Sequence, residues 1–298
     1  MRLCAVQCRP VPGDLDANLQ RHLALAGAAA AHRADLVLFP ELSLTGYEPR
    51  LAADLAGDGG DPRFAPLQVL ADKTGMLIAA GLPLQAPSGI RIGMLLWQPG
   101  GPLLRYAKQR LHADELPFFV PGDGQLILRA GGHAIAPAIC YESLQAEHAE
   151  AAAALGADLY LASVAKPARN VVQAHAHYPQ IARRHAMAVL MANSVGPCDD
   201  FIAAGGSAAW RSGDRHSTCG NSSGWKPRSA ARPNAWLHGG PRYQSSATMR
   251  VCRSTRAARK SPRPFAARRS PSSAARRAAA RAPSCPRSVS NWAAASPA

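Results

Sequence analysis

Ile135-Ala136-Pro137-Ala138-Ile139-Cys140-Tyr141-Glu142-Ser143 is the stretch that decides the fold. Its first five residues form an apolar run too short for a helix of its own, which predicts a buried strand. The Ala- and Glu-rich segment Glu142–Leu155 predicts a helix directly behind it, and Asp158–Ser163 predicts another strand. Strand, turn, helix and strand in succession make an α/β unit, and such sheets gather their ligand sites at the carboxyl ends of strands. Cys140 stands at one of these ends. There the positive end of the following helix favours a thiolate, although most intracellular cysteines are inert and buried.

The same alternation extends on both sides. Upstream, Leu3–Gln7 predicts a strand, and Asp14 caps a helix with Leu15, Leu19, Leu23 and Ala26 on one face. Leu36–Phe39 predicts a buried strand that ends at Pro40-Glu41. Phe64, Leu67, Leu70 and Ala71 share a helical face, Met76–Leu82 is strand-like, and Ile90–Trp97 with Leu103–Tyr106 forms a hairpin around Pro99-Gly100-Gly101-Pro102. Leu126–Arg129 pairs with His133–Ile139 across Gly131-Gly132. Downstream, Val171–Ala188 predicts a helix, Val189–Asn193 a strand, and Phe201–Trp210 a last strand-like piece. Glu41, Lys108 and Cys140 thus stand at comparable ends of separate elements and can converge.

Charge divides the 298 residues sharply. Residues 1–210 carry 16 Lys and Arg against 18 acids, whereas residues 211–298 carry 18 against the single Asp214, so a net charge of −2 is followed by one of +17. The last 88 residues hold only Leu237, Val251, Phe265 and Val289 of the types Leu, Ile, Val and Phe, too few to bury a core. The expected organisation is a near-neutral domain over 1–210 and a disordered Arg/Ala/Ser/Pro-rich tail over 211–298. The abrupt change predicts a shift of reading frame near Ala209–Gly213. Taken at face value, the arginines of the tail would bind nucleic acid non-specifically through phosphates, since the few aromatic residues do not interleave with them.

Seven cysteines without a repeating spacing, and no basic and apolar leader, argue against a secreted disulfide framework and for the cytoplasm. No apolar run approaches the ~18 residues of a membrane span. His175 and His177 would point to opposite sides of a helix, without an acidic or Cys ligand nearby, so no metal is expected. No glycine-rich phosphate loop is present, and no cofactor is expected.

Three blocks carry a resemblance: Phe39-Pro40-Glu41-Leu42-Ser43-Leu44-Thr45-Gly46-Tyr47, Lys108-Gln109-Arg110-Leu111-His112 and Ile139-Cys140-Tyr141-Glu142-Ser143. In that order they resemble the catalytic blocks of the nitrilase superfamily of carbon-nitrogen hydrolases. The similarity runs from Arg2 to about Trp210, and Phe118–Gly122 and Asn193-Ser194-Val195-Gly196 resemble two further family segments. It implies a four-layer αββα sandwich with a Glu41-Lys108-Cys140 triad that hydrolyses a non-peptide C–N bond of a small amide, nitrile or N-carbamoyl amine through a thioester. Glu115 resembles a second glutamate that orients Lys108 or the substrate, Tyr141 would supply a backbone N–H, and Tyr47 would border the pocket or pack. Glu142 would stabilise the helix N-terminus. Family members continue beyond the position of Trp210 with strands that complete the sandwich and often with an arm that supports a homo-oligomer. The altered tail predicts a sandwich without its last strands.

Overall fold

The computed structural model describes residues 1–213 and 248–253. Its first sheet contains β1 (Arg2–Gln7), β2 (Leu36–Leu38), β3 (Leu77–Ala86), β4 (Gly89–Trp97) and β5 (Leu104–Ala107), in that spatial order. The second is built on β6 (Leu128–Ala130), β7 (His133–Ile139), β8 (Leu159–Val164) and β9 (Ala188–Asn193), with a short antiparallel strand beyond β9. β1, β2 and β3 run parallel, as do β7, β8 and β9. β4 and β5 reverse direction twice, so β5 again runs with β2 and delivers Lys108 to the edge of the sheet that carries Glu41.

Helices cover the outer faces. α1 (Leu15–Ala31), the short α2 (Ala52–Leu55) and α3 (Ala65–Thr74) precede β3, while α4 (Ala146–Ala154) and α5 (Ala168–His185) flank β8. Asp14 caps α1 as expected, its side chain accepting from the Ala17 N–H at 2.9 Å. Leu3, Leu36, Leu38, Met94, Ile135, Ile139, Leu161 and Leu190 pack together between the two sheets. Val37, Phe39 and Ile78 face Leu19, Leu67 and Ala71 of α1 and α3, whereas Tyr160 and Met191 face Tyr178 and Ile181 of α5. This is the αββα order that the resemblance implies. No helix among the described residues is long and apolar enough to cross a membrane.

Three expectations need correction. The helix after Cys140 starts at Ala146, because Cys140–Leu144 first makes a 3-10 turn closed by a Ser143 Oγ bond to the Cys140 carbonyl at 2.5 Å. The single strand expected over Phe201–Trp210 is instead divided. β10 (Val195–Cys198) and β11 (Phe201–Ala204) form a hairpin, and β12 (Ala208–Trp210) pairs with β9. Gly205 and Gly206, at φ +66° and +77°, turn the chain between them in a conformation that other residues rarely adopt.

The tail, expected to lack regular structure, contributes β13 (Thr248–Arg253), antiparallel to the whole of β1 from Arg2↔Arg253 to Gln7↔Thr248. Without it β1 would be a sheet edge with unpaired backbone groups, and a six-residue segment free of proline can satisfy them. Residues 214–247 and 254–298, and with them the arginines of the proposed nucleic-acid arm beyond Arg253, lie outside the described residues.

Candidate active site

Glu41 follows β2 through Phe39-Pro40, in a tight turn whose Leu42 has a left-handed φ of +49°. The turn is fixed from three directions. Gly46 N–H donates to the Leu42 carbonyl at 2.7 Å, Leu44 N–H donates to the Gly81 carbonyl of β3 at 3.0 Å, and Ser163 Oγ reaches across from β8 to the Phe39 carbonyl at 2.8 Å. Lys108 is held by its own backbone, donating to the Ile92 carbonyl at 2.9 Å and accepting from Gly122 N–H at 2.7 Å. These loops aim both side chains into the space between the two sheets.

There the Lys108 ammonium donates to Glu41 Oε1 at 3.0 Å and to Glu115 Oε1 at 2.5 Å, with all three side chains buried. Glu115 also accepts from the Tyr47 hydroxyl at 2.9 Å and, on Oε2, from the His112 N–H at 2.7 Å. Three polar contacts at two oxygens fix this carboxylate, and one of them fixes the lysine. Burial opposes the charge of Lys108, but Glu41, Glu115 and Cys140 more than offset it and hold its pKa above the ordinary value. Burial raises the Glu41 pKa, with Glu115 adding to the effect and Lys108 acting against it. Glu41 Oε2 has no hydrogen-bond partner among the described residues, and the nearby Cys140 thiol lowers the carboxyl pKa.

Cys140 projects from the end of β7 with a left-handed φ of +45°, a conformation unusual for a side-chain-bearing residue and found where structure around it enforces it. The residue is partly exposed, whereas Glu41, Lys108 and Glu115 are buried. Burial of the sulfur and the Glu41 charge push its pKa up to about 11, with Lys166 and Lys108 acting in the other direction. Sγ also lies 3.7 Å from the Ala165 carbonyl.

The structure brings Glu41, Lys108, Glu115 and Cys140 into one cluster and places Tyr47 against it. The Tyr47 ring meets Phe201 edge-on at 5.6 Å. The Tyr141 side chain is exposed, edge-on to His112 at 5.2 Å. Glu142 caps the turn as expected, accepting from Ile139 N–H at 2.7 Å. It does more, accepting also from Gln109 N–H at 2.6 Å and from the Tyr106 hydroxyl at 2.7 Å. One buried carboxylate therefore ties the Cys140 turn to the Lys108 segment, and desolvation pushes its pKa up to about 7. His175 bonds the Gly206 carbonyl at 2.8 Å, and no group of three potential metal ligands occurs among the described residues.

Sequence reasoning did not single out Lys166. It follows β8, is buried, and places Nζ 3.6 Å from Cys140 Sγ and 3.5 Å from the Cys140 carbonyl. Asn193, at the end of β9, holds its backbone by accepting from Lys166 N–H at 2.8 Å and donating to the Lys166 carbonyl at 3.1 Å and the Gly205 carbonyl at 2.6 Å. Asn193→Ala would strand these buried groups and is expected to cost about 3 kcal/mol of stability. A urea titration checks this, and a loss below about 0.5 kcal/mol would mean that the loop is held by other bonds.

The family model for carbon-nitrogen hydrolases matches residues 2–225. A protein of Pseudomonas protegens named as a hydrolase in the pqqF 5′ region is 31% identical over 171 residues, 55% of this chain and 59% of its own. The (R)-stereoselective amidase of a Pseudomonas species is 29% identical over 219 residues, 70% of this chain and 77% of its own. Among solved structures, a mutant amidase from Nesterenkonia sp. AN1, with acrylamide added to its active-site cysteine, superposes with a TM-score of 0.66 at 28% identity. It covers 71% of this chain and 85% of that one. The chain thus spans under two thirds of the first relative's length and most of the other two.

Proposed function

This chain belongs to the carbon-nitrogen hydrolase family, and from that premise we propose that it hydrolyses small amides, with Cys140 as nucleophile, Glu41 as general base and acid, and Lys108 as the fixed positive charge. The observation that carries the reading is a buried Lys108 ammonium bridging Glu41 and Glu115 beside a partly exposed Cys140 at the end of a parallel strand. Thiol, carboxylate and ammonium are the groups that acyl transfer from nitrogen requires.

Sγ would attack the amide carbon once its proton has passed to Glu41, whose Oε2 is free to accept it. Negative charge then develops on the substrate oxygen. Lys108 and the Tyr141 backbone N–H would stabilise it, an interaction of about 3–4 kcal/mol per donor in such sites. Collapse of the tetrahedral species breaks the C–N bond, and Glu41 returns the proton to the leaving ammonia or amine. The thioester remains. Water, deprotonated by the same carboxylate, attacks it and releases the acid and the thiol. Glu115 would act on Lys108, with Tyr47 and His112 N–H holding it in place.

Amides stand first among the three substrate classes because two of the similar proteins are amidases by name. Ammonia release from a panel of small amides, nitriles and N-carbamoyl amines tests the reading. The expected result is turnover of amides that disappears in Cys140→Ser. Silence of the wild-type chain on all three classes would remove it.

A further inference from the structure

The charges at the site do not pair one to one. Lys108 is shared between two carboxylates, Glu41 and Glu115, whereas Lys166 has no carboxylate partner among the described residues. A buried ammonium without an anion is strongly unfavourable, and buried charges survive where something compensates them. Lys166 Nζ instead meets the Cys140 carbonyl and Cys140 Sγ. Of these only the sulfur can become an anion.

We propose that Lys166 is a second catalytic ammonium, which pairs with Cys140 as a thiolate and so lets Glu41 hold the proton before substrate is attacked. The step is balanced within the site: the S–H bond breaks, an O–H bond forms at Glu41, and one negative charge moves from the carboxylate to the sulfur. Lys108 keeps Glu115 as its anion throughout, and Lys166 gains one. The proposal rests on the assignment of Cys140 as nucleophile made above.

Placement supports this role. Asn193 fixes the Lys166 backbone at both its N–H and its carbonyl, and Ala204 N–H adds a bond to that carbonyl at 3.0 Å, so the ammonium is positioned before any ligand arrives. Lys166 also lowers the Cys140 pKa, ahead of Lys108 in effect, against the larger upward push of burial and Glu41. Of the other titratable side chains around the sulfur, Glu142 is spent on the turn and on the Lys108 segment, and the tyrosines and Cys198 are neutral at pH 7. Tyr47 and Tyr178 have raised pKa values, chiefly from burial, and Cys198 is pushed up to about 12 for the same reason. Burial lowers the His177 pKa, and the Lys166 charge lowers it further, so it adds no competing cation.

The test measures the rate of iodoacetamide alkylation at Cys140 against pH in the full chain, located by peptide mass and with Cys140→Ser as blank. In Lys166→Met the apparent thiol pKa is expected to rise by about one unit, with a roughly tenfold slower reaction at pH 7. Lys166→Arg, which keeps a permanent charge, is expected to stay within about threefold of the wild type. An unchanged profile in Lys166→Met would overturn the proposal, and so would a shift in Lys166→Arg as large as in Lys166→Met. Should Lys166→Met not fold, a wild-type profile in Lys166→Arg sustains the ion pair and a raised pKa there defeats it. Failure of the underlying assignment looks different: Cys140 of the wild-type chain would then be no more reactive than its other cysteines.

Discussion

Cys140→Ser is expected to reduce kcat/KM for amide hydrolysis by about 10⁴-fold or more while leaving the melting temperature nearly unchanged. Serine is close in size to cysteine and can occupy the same strand end, including its φ of +45°. What it lacks is an ionisable sulfur. Burial and Glu41 already push the Cys140 thiol up to about 11, so in the proposed mechanism proton removal would rely on the Glu41 carboxylate and on the Lys108 and Lys166 charges, which act the other way on the thiol. A hydroxyl, several units weaker as an acid, would not lose its proton to a carboxylate in that setting. Glu41→Gln is expected to be nearly as damaging to turnover, because the amide can neither take the proton nor return it to the leaving nitrogen. It should also spare the fold, since Gln can still accept from Lys108 through its oxygen. Ammonia release and thermal melts on both variants check these statements. A Cys140→Ser protein retaining more than about one hundredth of the wild-type rate would show that another group forms the covalent bond.

The parts of this arrangement that sequence reveals are those set by local pattern. Leu36–Phe39 and Ile135–Ile139 are apolar runs that can only be buried strands, and the residues just past them, Glu41 and Cys140, inherit their positions from that. Lys108 is legible for the same reason once the two reversals of β4 and β5 are recognised. Lys166 is different. In Val164-Ala165-Lys166-Pro167-Ala168-Arg169 its charge and neighbouring proline have the composition of a solvated loop, and its burial accompanies backbone bonds to Asn193 and Ala204, far along the chain. Glu142 escapes for a related reason, since a carboxylate near a helix start is satisfied locally in most proteins, whereas here Tyr106 and Gln109 come from the other sheet. β13 was hidden because strand pairing is decided by the edge that needs a partner as much as by the segment that supplies it.

Gly81→Ala is expected to show how closely the fold controls the chemistry. Gly81 lies in β3, and a Cβ built there would collide with the Leu42 backbone nitrogen and stand 3.2 Å from the Glu41 carbonyl carbon and the Leu42 Cα. These are main-chain atoms, so no side-chain rotation relieves the clash. Leu42 is already in the left-handed region at φ +49°, and the Leu44 N–H bond to the Gly81 carbonyl at 3.0 Å ties the two segments together. The turn that carries Glu41 must therefore move outward. Overpacking of this kind costs about 1–3 kcal/mol, and a catalytic group displaced by about 1 Å loses roughly 10²-fold in rate. The expected result is a folded protein with a lower melting temperature and kcat/KM reduced by about 10²-fold, in which Cys140 is still alkylated by iodoacetamide because Lys166 reaches it from β8 of the same sheet, which the substitution does not touch. Wild-type turnover in Gly81→Ala would mean that the Glu41 turn tolerates the shift, and that its close approach to β3 is not what positions the carboxylate.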